Sequence, residues 1–182
     1  MGGRARSLQR SLETQLAGIL VIGYGNLLRG DDAVGCRVAQ ELAQSFHGDP
    51  EIEVIASPQL TPEMADDVSR SGFVLFVDAS DGEAAGTIRR SRVAPESLPG
   101  GFTHSLTPSA LLSAAEQLYG DAPEAMLLTM AGWSFELGNQ LSAGASRSLP
   151  KLIQQARDVI ERHRTGAFTA RTAAALAYRP TN

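Results

Sequence analysis

The stretch Val21-Ile22-Gly23-Tyr24-Gly25-Asn26-Leu27-Leu28-Arg29-Gly30-Asp31-Asp32-Ala33-Val34-Gly35 decides the fold class. It reads as a buried strand, a glycine-rich turn, two adjacent carboxylates and a helix that begins near Ala33. Gly23 and Gly25 permit a close backbone approach that side chains would obstruct. Asn26 is one of the few other residue types that tolerates a left-handed conformation. Asp31 and Asp32 therefore arrive at the carboxyl edge of a strand, where open α/β sheets place their ligands. That position points to chemistry or to a bound cation.

A nucleotide-binding loop is the nearest competitor, and the residues argue against it. Gly23-x-Gly25 begins a dinucleotide fingerprint, but Leu28 stands where its third glycine should be. The second apolar strand, Ile52–Ala56, ends in Ser57-Pro58 and offers no acid for a ribose. No Gly-Lys-Ser/Thr sequence is present to make a phosphate-binding P-loop. Two carboxylates would also repel a pyrophosphate at close range.

Outward from this stretch, strands alternate with helices. Leu16–Ile22 is a near-continuous apolar run, as expected of a strand covered on both faces. Val34, Val38, Leu42 and Phe46 recur at intervals of four and predict a helix, which His47-Gly48-Asp49-Pro50 stops. After Ile52–Ala56, Thr61 is expected to cap a helix with Pro62 at its first position, running to about Arg70. Gly72–Asp78 is a third buried strand ending in an acid, and Gly86–Val93 alternates like a more exposed one. Thr107-Pro108 caps a helix whose expected buried stripe is Leu111, Leu112, Ala115 and Leu118. Met126–Met130 is another apolar strand, followed by a glycine-punctuated loop over Gly132–Leu141. A last helix is expected from about Ser146 to His163, with Pro150 near its first turn and Leu149, Leu152, Ile153, Ala156, Val159 and Ile160 inward. The alternation predicts a single three-layer α/β/α domain built on a mostly parallel twisted sheet of about five strands.

At 182 residues the chain is long enough to bury one proper core. Residues 1–14 read as a polar leader, 15–164 as the α/β domain and 165–182 as an Ala/Thr/Arg-rich tail open to fraying. A net charge of −4 without a basic, aromatic-interleaved surface signature gives no reason to expect nucleic acid. No segment approaches the ~20 apolar residues that span a bilayer, so no membrane partner is expected. Cys36 is the only cysteine, which excludes an intrachain disulfide and a cysteine-built zinc site. It fits a cytoplasmic location and reads as a small buried hydrophobe.

Three polar groups fall where this topology would gather them: Asp32 after the first strand, Asp78 at the end of the third, and His104 on a later crossover loop. Two carboxylates and an imidazole can form an incomplete divalent-metal site with positions open to substrate. The carboxylates could equally activate water by acid/base chemistry. Each residue also has a plainer role. Asp31 and Asp32 could cap the helix and complement its dipole, and Asp78 could order its own turn. A lone loop histidine is more often structural than catalytic. His47 and His163 read as C-terminal dipole partners of helices.

The run Gly25-Asn26-x-Leu28-x-Gly30-Asp31-Asp32-x-x-Gly35, followed by Val77-Asp78-Ala79 and Thr103-His104-Ser105-Leu106, resembles the hydrogenase maturation proteases. These endopeptidases trim the C-terminus of the large subunit of nickel–iron hydrogenases. The resemblance extends in order from about Ile19 to Ile160, with Ala33 in place of a frequent glycine. It implies that Asp32, Asp78 and His104 are both the nickel-interacting and the catalytic positions, with Asp31 a supporting group. It also implies that no metal is held permanently. Nickel would arrive in the large-subunit precursor, bound by thiolates, and the protease's oxygen and nitrogen ligands would sense it there. A monomer acting on that precursor is expected. The loop holding Trp133-Ser134-Phe135-Glu136 and Leu141-Ser142 reads either as a substrate-facing element or as a core-anchored aromatic loop. Two rival functions carry weight: a non-enzymatic nickel-dependent docking or quality-control module, and a small-amide hydrolase on a similar frame.

Overall fold

The computed structural model describes residues 18–96 and 106–177, with side chains described through residue 166. Five strands form one sheet: β1 (Ile19–Tyr24), β2 (Ile52–Ser57), β3 (Phe73–Ser80), β4 (Ile88–Val93) and β5 (Glu124–Ala131). Their spatial order is β2-β1-β3-β5-β4; β4 alone runs antiparallel. The apolar runs of β1 and β3 occupy the middle of the sheet, while the arginine-rich β4, exposed continuously from Arg89 to Arg92 rather than in alternation, takes an edge. A strand buried on both faces needs apolar residues throughout, and an edge strand does not.

Four helices cover the sheet: α1 (Val34–Ser45), α2 (Met64–Ser69), α3 (Pro108–Tyr119) and α4 (Ala143–Ala177). Strand alternation sorts the core into two layers. Ile19, Val21, Leu75 and Val77 face Val38, Leu42, Leu152, Ala156 and Ile160 from α1 and α4. Leu20, Ile22, Val74 and Phe76 face Met64, Val68, Leu111, Leu112 and Ala115 from α2 and α3. The fold is thus the expected three-layer α/β/α arrangement on a mostly parallel five-stranded sheet.

Several local expectations need correction. Thr61 and Pro62 form a turn rather than a cap; α2 starts at Met64 after Glu63, with no side-chain cap. Thr107 does cap α3, its hydroxyl accepting the Ala110 N–H at 3.1 Å. Leu118, however, is 68% exposed, because α3 buries only the side that faces the sheet and α2. The last helix begins three residues before Ser146, which puts Pro150 inside it, and continues past His163 to Ala177. His163 is consequently mid-helix, where its ring stacks on Phe73 with centroids 3.5 Å apart. No described helix is long and apolar enough to cross a membrane.

Candidate active site at the carboxyl ends of β1 and β3

In this strand order β1 leads outward to β2 on one side, while β3 lies on its other side. The crevice at the carboxyl ends of β1 and β3 is therefore the topological switch point, where open α/β sheets bind ligands. The turn that follows β1 is built by close packing. A Cβ at Gly35 would fall 2.2 Å from the Tyr24 carbonyl and 2.3 Å from that of Val77, so only glycine lets α1 start against both strands. Gly25 has φ +137°, and a Cβ there would lie 1.9 Å from the Asp32 carbonyl. Asn26 does not adopt a left-handed conformation. Its side-chain carbonyl accepts the Leu28 N–H at 2.9 Å, and its own N–H donates to Asp32 Oδ2 at 2.9 Å.

The two adjacent acids separate into different roles. Asp31 is fully buried, and neither caps α1 nor faces the crevice as a free group. Its carboxylate accepts the N–H groups of Trp133 (2.7 Å), Ser134 (3.1 Å) and Ser142 (2.7 Å), and the Ser142 hydroxyl (2.8 Å). Burial pushes its carboxyl up, but the Ser142 N–H, the Trp133 N–H, the Ser142 hydroxyl and the Ser134 N–H together hold it below the ordinary carboxylate value. Asp31 therefore locks the β5–α4 loop onto the Gly30–Ala33 turn, a short 3₁₀ segment. A further short parallel bridge joins Arg29 to Gly138.

Asp32 is half-buried, its Oδ2 accepting the Asn26 N–H from the loop that follows β1. Asp78 sits near the end of β3, also half-buried, with its Oδ1 accepting the Ala79 N–H at 2.8 Å. Burial is the main reason its carboxyl is pushed up to about 6. The Tyr24 hydroxyl and the Ala79 N–H oppose that rise, and the Asp32 charge adds to it. Asp32 and Asp78 are thus close enough to act on one another. Tyr24, from the end of β1, sits beside Asp78; burial, followed by Asp78 and Asp32, drives its phenol far upward, so it remains an O–H donor. Tyr24 was visible in the opening stretch but carried no signal of this contact, which depends on strand pairing.

His104 lies outside the described residues, in the segment just before α3. Among the described residues no group of three His, Cys, Asp or Glu side chains could hold a metal ion. Cys36 is buried, its Sγ directed to the carbonyls of Ser57 (2.9 Å) and Gly25 (3.2 Å), in keeping with a packing role.

The β5–α4 loop is anchored and exposed at once. Trp133 is wedged between two glycines: a Cβ at Gly144 would meet its indole at 2.5 Å, and one at Gly86 at 2.7 Å. Trp133 nevertheless stays 43% exposed, and Leu137, on the same loop, is 91% exposed.

Paired carboxylates at the switch point of an open α/β/α sheet define a domain that binds and acts at its strand ends. No family model matches the chain. It is 28% identical over 116 residues to the hydrogenase 2 maturation protease of Escherichia coli strain K12, covering 60% of this chain and 70% of that protein. An endopeptidase from Escherichia coli solved in solution shares 25% identity with a TM-score of 0.60, over 76% of this chain and 89% of that one. The hydrogenase maturating endopeptidase HybD from E. coli superposes with a TM-score of 0.66 at 24% identity, covering 80% and 93%. The NiFe hydrogenase maturation protease HycI from Thermococcus kodakarensis gives 0.64 at 22%, covering 83% and 99%. The latter two likenesses, both under 25% identical, speak for the fold alone; the sequence match makes the chain similar to a hydrogenase maturation protease over 60% of its length.

Proposed function

We propose that this chain is an endopeptidase that removes the C-terminal extension of a nickel-loaded hydrogenase large-subunit precursor, in the cytoplasm. The observation that carries the reading is the pairing of Asp32 with an Asp78 whose carboxyl is pushed up to about 6, at the switch point of a fold shared with maturation proteases. A carboxylate that titrates near neutrality can take and return a proton during peptide hydrolysis. Asp32, Asp78 and His104 are proposed to meet the nickel that the precursor holds through its own thiolates; hard oxygen and nitrogen donors complement those soft ligands. Binding the metal would bring the scissile peptide to the carboxylates, which activate water or polarise the carbonyl. No metal resides in the protease between turnovers.

The test is conversion of precursor to mature large subunit on a gel, with thermal melting of each variant alongside. Asp32→Asn and His104→Ala should fold and fail to process. Normal processing by a well-folded Asp32→Asn protein would remove Asp32 from the centre of the site. Wild-type protein that binds the nickel-loaded precursor without cutting it would leave a docking module, and turnover of small amides without any precursor would leave a different hydrolase.

A further inference from the structure

Tyr24 and Asp78 are set against each other by the sheet itself. The β1–β3 register pairs Ile22 with Phe76 and Gly23 with Val77, so Tyr24 falls level with Asp78 on the neighbouring strand. Alternation puts Tyr24 on the face of Leu20 and Ile22, and Asp78 on the face of Val74 and Phe76, which is the same face. The Tyr24 ring packs against that apolar layer, which sets its hydroxyl beside the Asp78 carboxylate. An ionised carboxylate offers about four lone-pair positions. The Ala79 N–H takes one through a purely local contact, and the Tyr24 hydroxyl, level with Asp78 on the neighbouring strand and on the same face, is placed to take another. Only the second ties the carboxylate to the turn that carries Asp32, because Tyr24 leads into that turn.

We propose that Tyr24 is a positioning residue for the reaction: its hydroxyl, fixed at the end of β1, orients the Asp78 carboxylate so that its remaining lone pairs meet the nickel-bearing substrate. This rests on the maturation-protease reading above. Groups that hydrogen-bond a metal-binding carboxylate set its orientation, and losing one typically weakens metal affinity or activity by roughly 10–100-fold. A tyrosine that merely filled space and found the nearest acceptor would matter to stability alone.

Tyr24→Phe keeps the packing ring and removes only the hydroxyl. The full-length chain should be assayed for kcat and KM on nickel-loaded precursor, and for binding to precursor with and without nickel, with melting curves in parallel. The expected result is a kcat lower by roughly 10–100-fold and an equal loss in preference for nickel-loaded over nickel-free precursor. Affinity for the nickel-free precursor should be unchanged. In an Asp78→Asn background the same substitution should produce no further loss of nickel preference, since the group it orients is gone. A Tyr24→Phe protein with wild-type kcat and wild-type nickel preference overturns the proposal, as does a loss that is undiminished in the Asp78→Asn background. Should the wild-type chain neither cut the precursor nor distinguish its nickel-loaded form, the function reading itself falls, a result separable from any behaviour of Tyr24.

Discussion

Asp31 and Asp32 are adjacent in the chain and opposite in consequence. The Asp31 carboxylate faces four donors, so an amide there turns an N–H₂ toward N–H groups that need an acceptor. Asp31→Asn should cost at least about 2 kcal/mol, well beyond the ~0.3–1 kcal/mol of a helix-dipole role, while Asp32→Asn changes stability little. Chemical denaturation of both variants decides it; equal midpoints would mean the four bonds are not what holds the loop. Asp78 has the reverse sign. Its folded-state carboxyl lies at about 6 against an ordinary 3.8, so the fold binds that proton better than the unfolded chain does. The stabilising contribution is complete below the ordinary value and is lost as pH rises through about 6, leaving the ionised fold worse off by roughly 3 kcal/mol. Asp78→Asn, whose amide oxygen can still accept from Tyr24 and Ala79, should therefore melt above wild type at pH 8, with the gap closing toward pH 4, while processing is abolished. A variant that melts below wild type at pH 8 contradicts this account.

Among the elements, what could be read from the residues depends on how far away their partners are. The central strands were legible because a strand buried on both faces writes its environment into its own composition: Ile19–Ile22 of β1 and Phe73–Val77 of β3 are unbroken apolar runs. The cap at Thr107 was legible because its partner is three residues on. The Asp31 contacts span 102 to 111 residues, and no local pattern announces them. Trp133 is a similar case, since its seat consists of Gly86 and Gly144, two residues with no side chain to advertise a contact. That seat makes its own prediction. A methyl at Gly144 would come within 2.5 Å of the indole, so Gly144→Ala must displace Trp133 and strain the loop, at about 1–3 kcal/mol. Trp133 is the only tryptophan in the chain, so its fluorescence reports the loop directly. Emission should shift to the red in the variant, and an unchanged spectrum with unchanged stability would show that the seat has room to spare.

Across the whole molecule, two strands and their turn bring two carboxylates together, while the third site residue expected from the resemblance, His104, lies outside the described residues. The core is built symmetrically about the sheet, and the polar groups concentrate at one end of it, between β1 and β3. Nothing soft is available there: the chain's one thiol is buried and aimed at backbone carbonyls. A site of two carboxylates and at most one imidazole holds a free divalent transition metal less firmly than the four-ligand structural or three-ligand catalytic zinc sites of ordinary metalloproteins. If nickel is sensed in the precursor, this weakness is required, since a resident ion would occupy the positions that the substrate's metal must reach. Purified protein should therefore carry well under one equivalent of nickel or zinc by elemental analysis, and a chelator should leave its melting temperature unchanged, because ligands that bind only the folded state raise its stability and their removal would lower it. Adding nickel-loaded precursor should raise the melting temperature, whereas nickel-free precursor should do so less. One tightly retained zinc per chain, with a melting point that drops on chelation, would instead assign the carboxylates to a resident metallopeptidase centre.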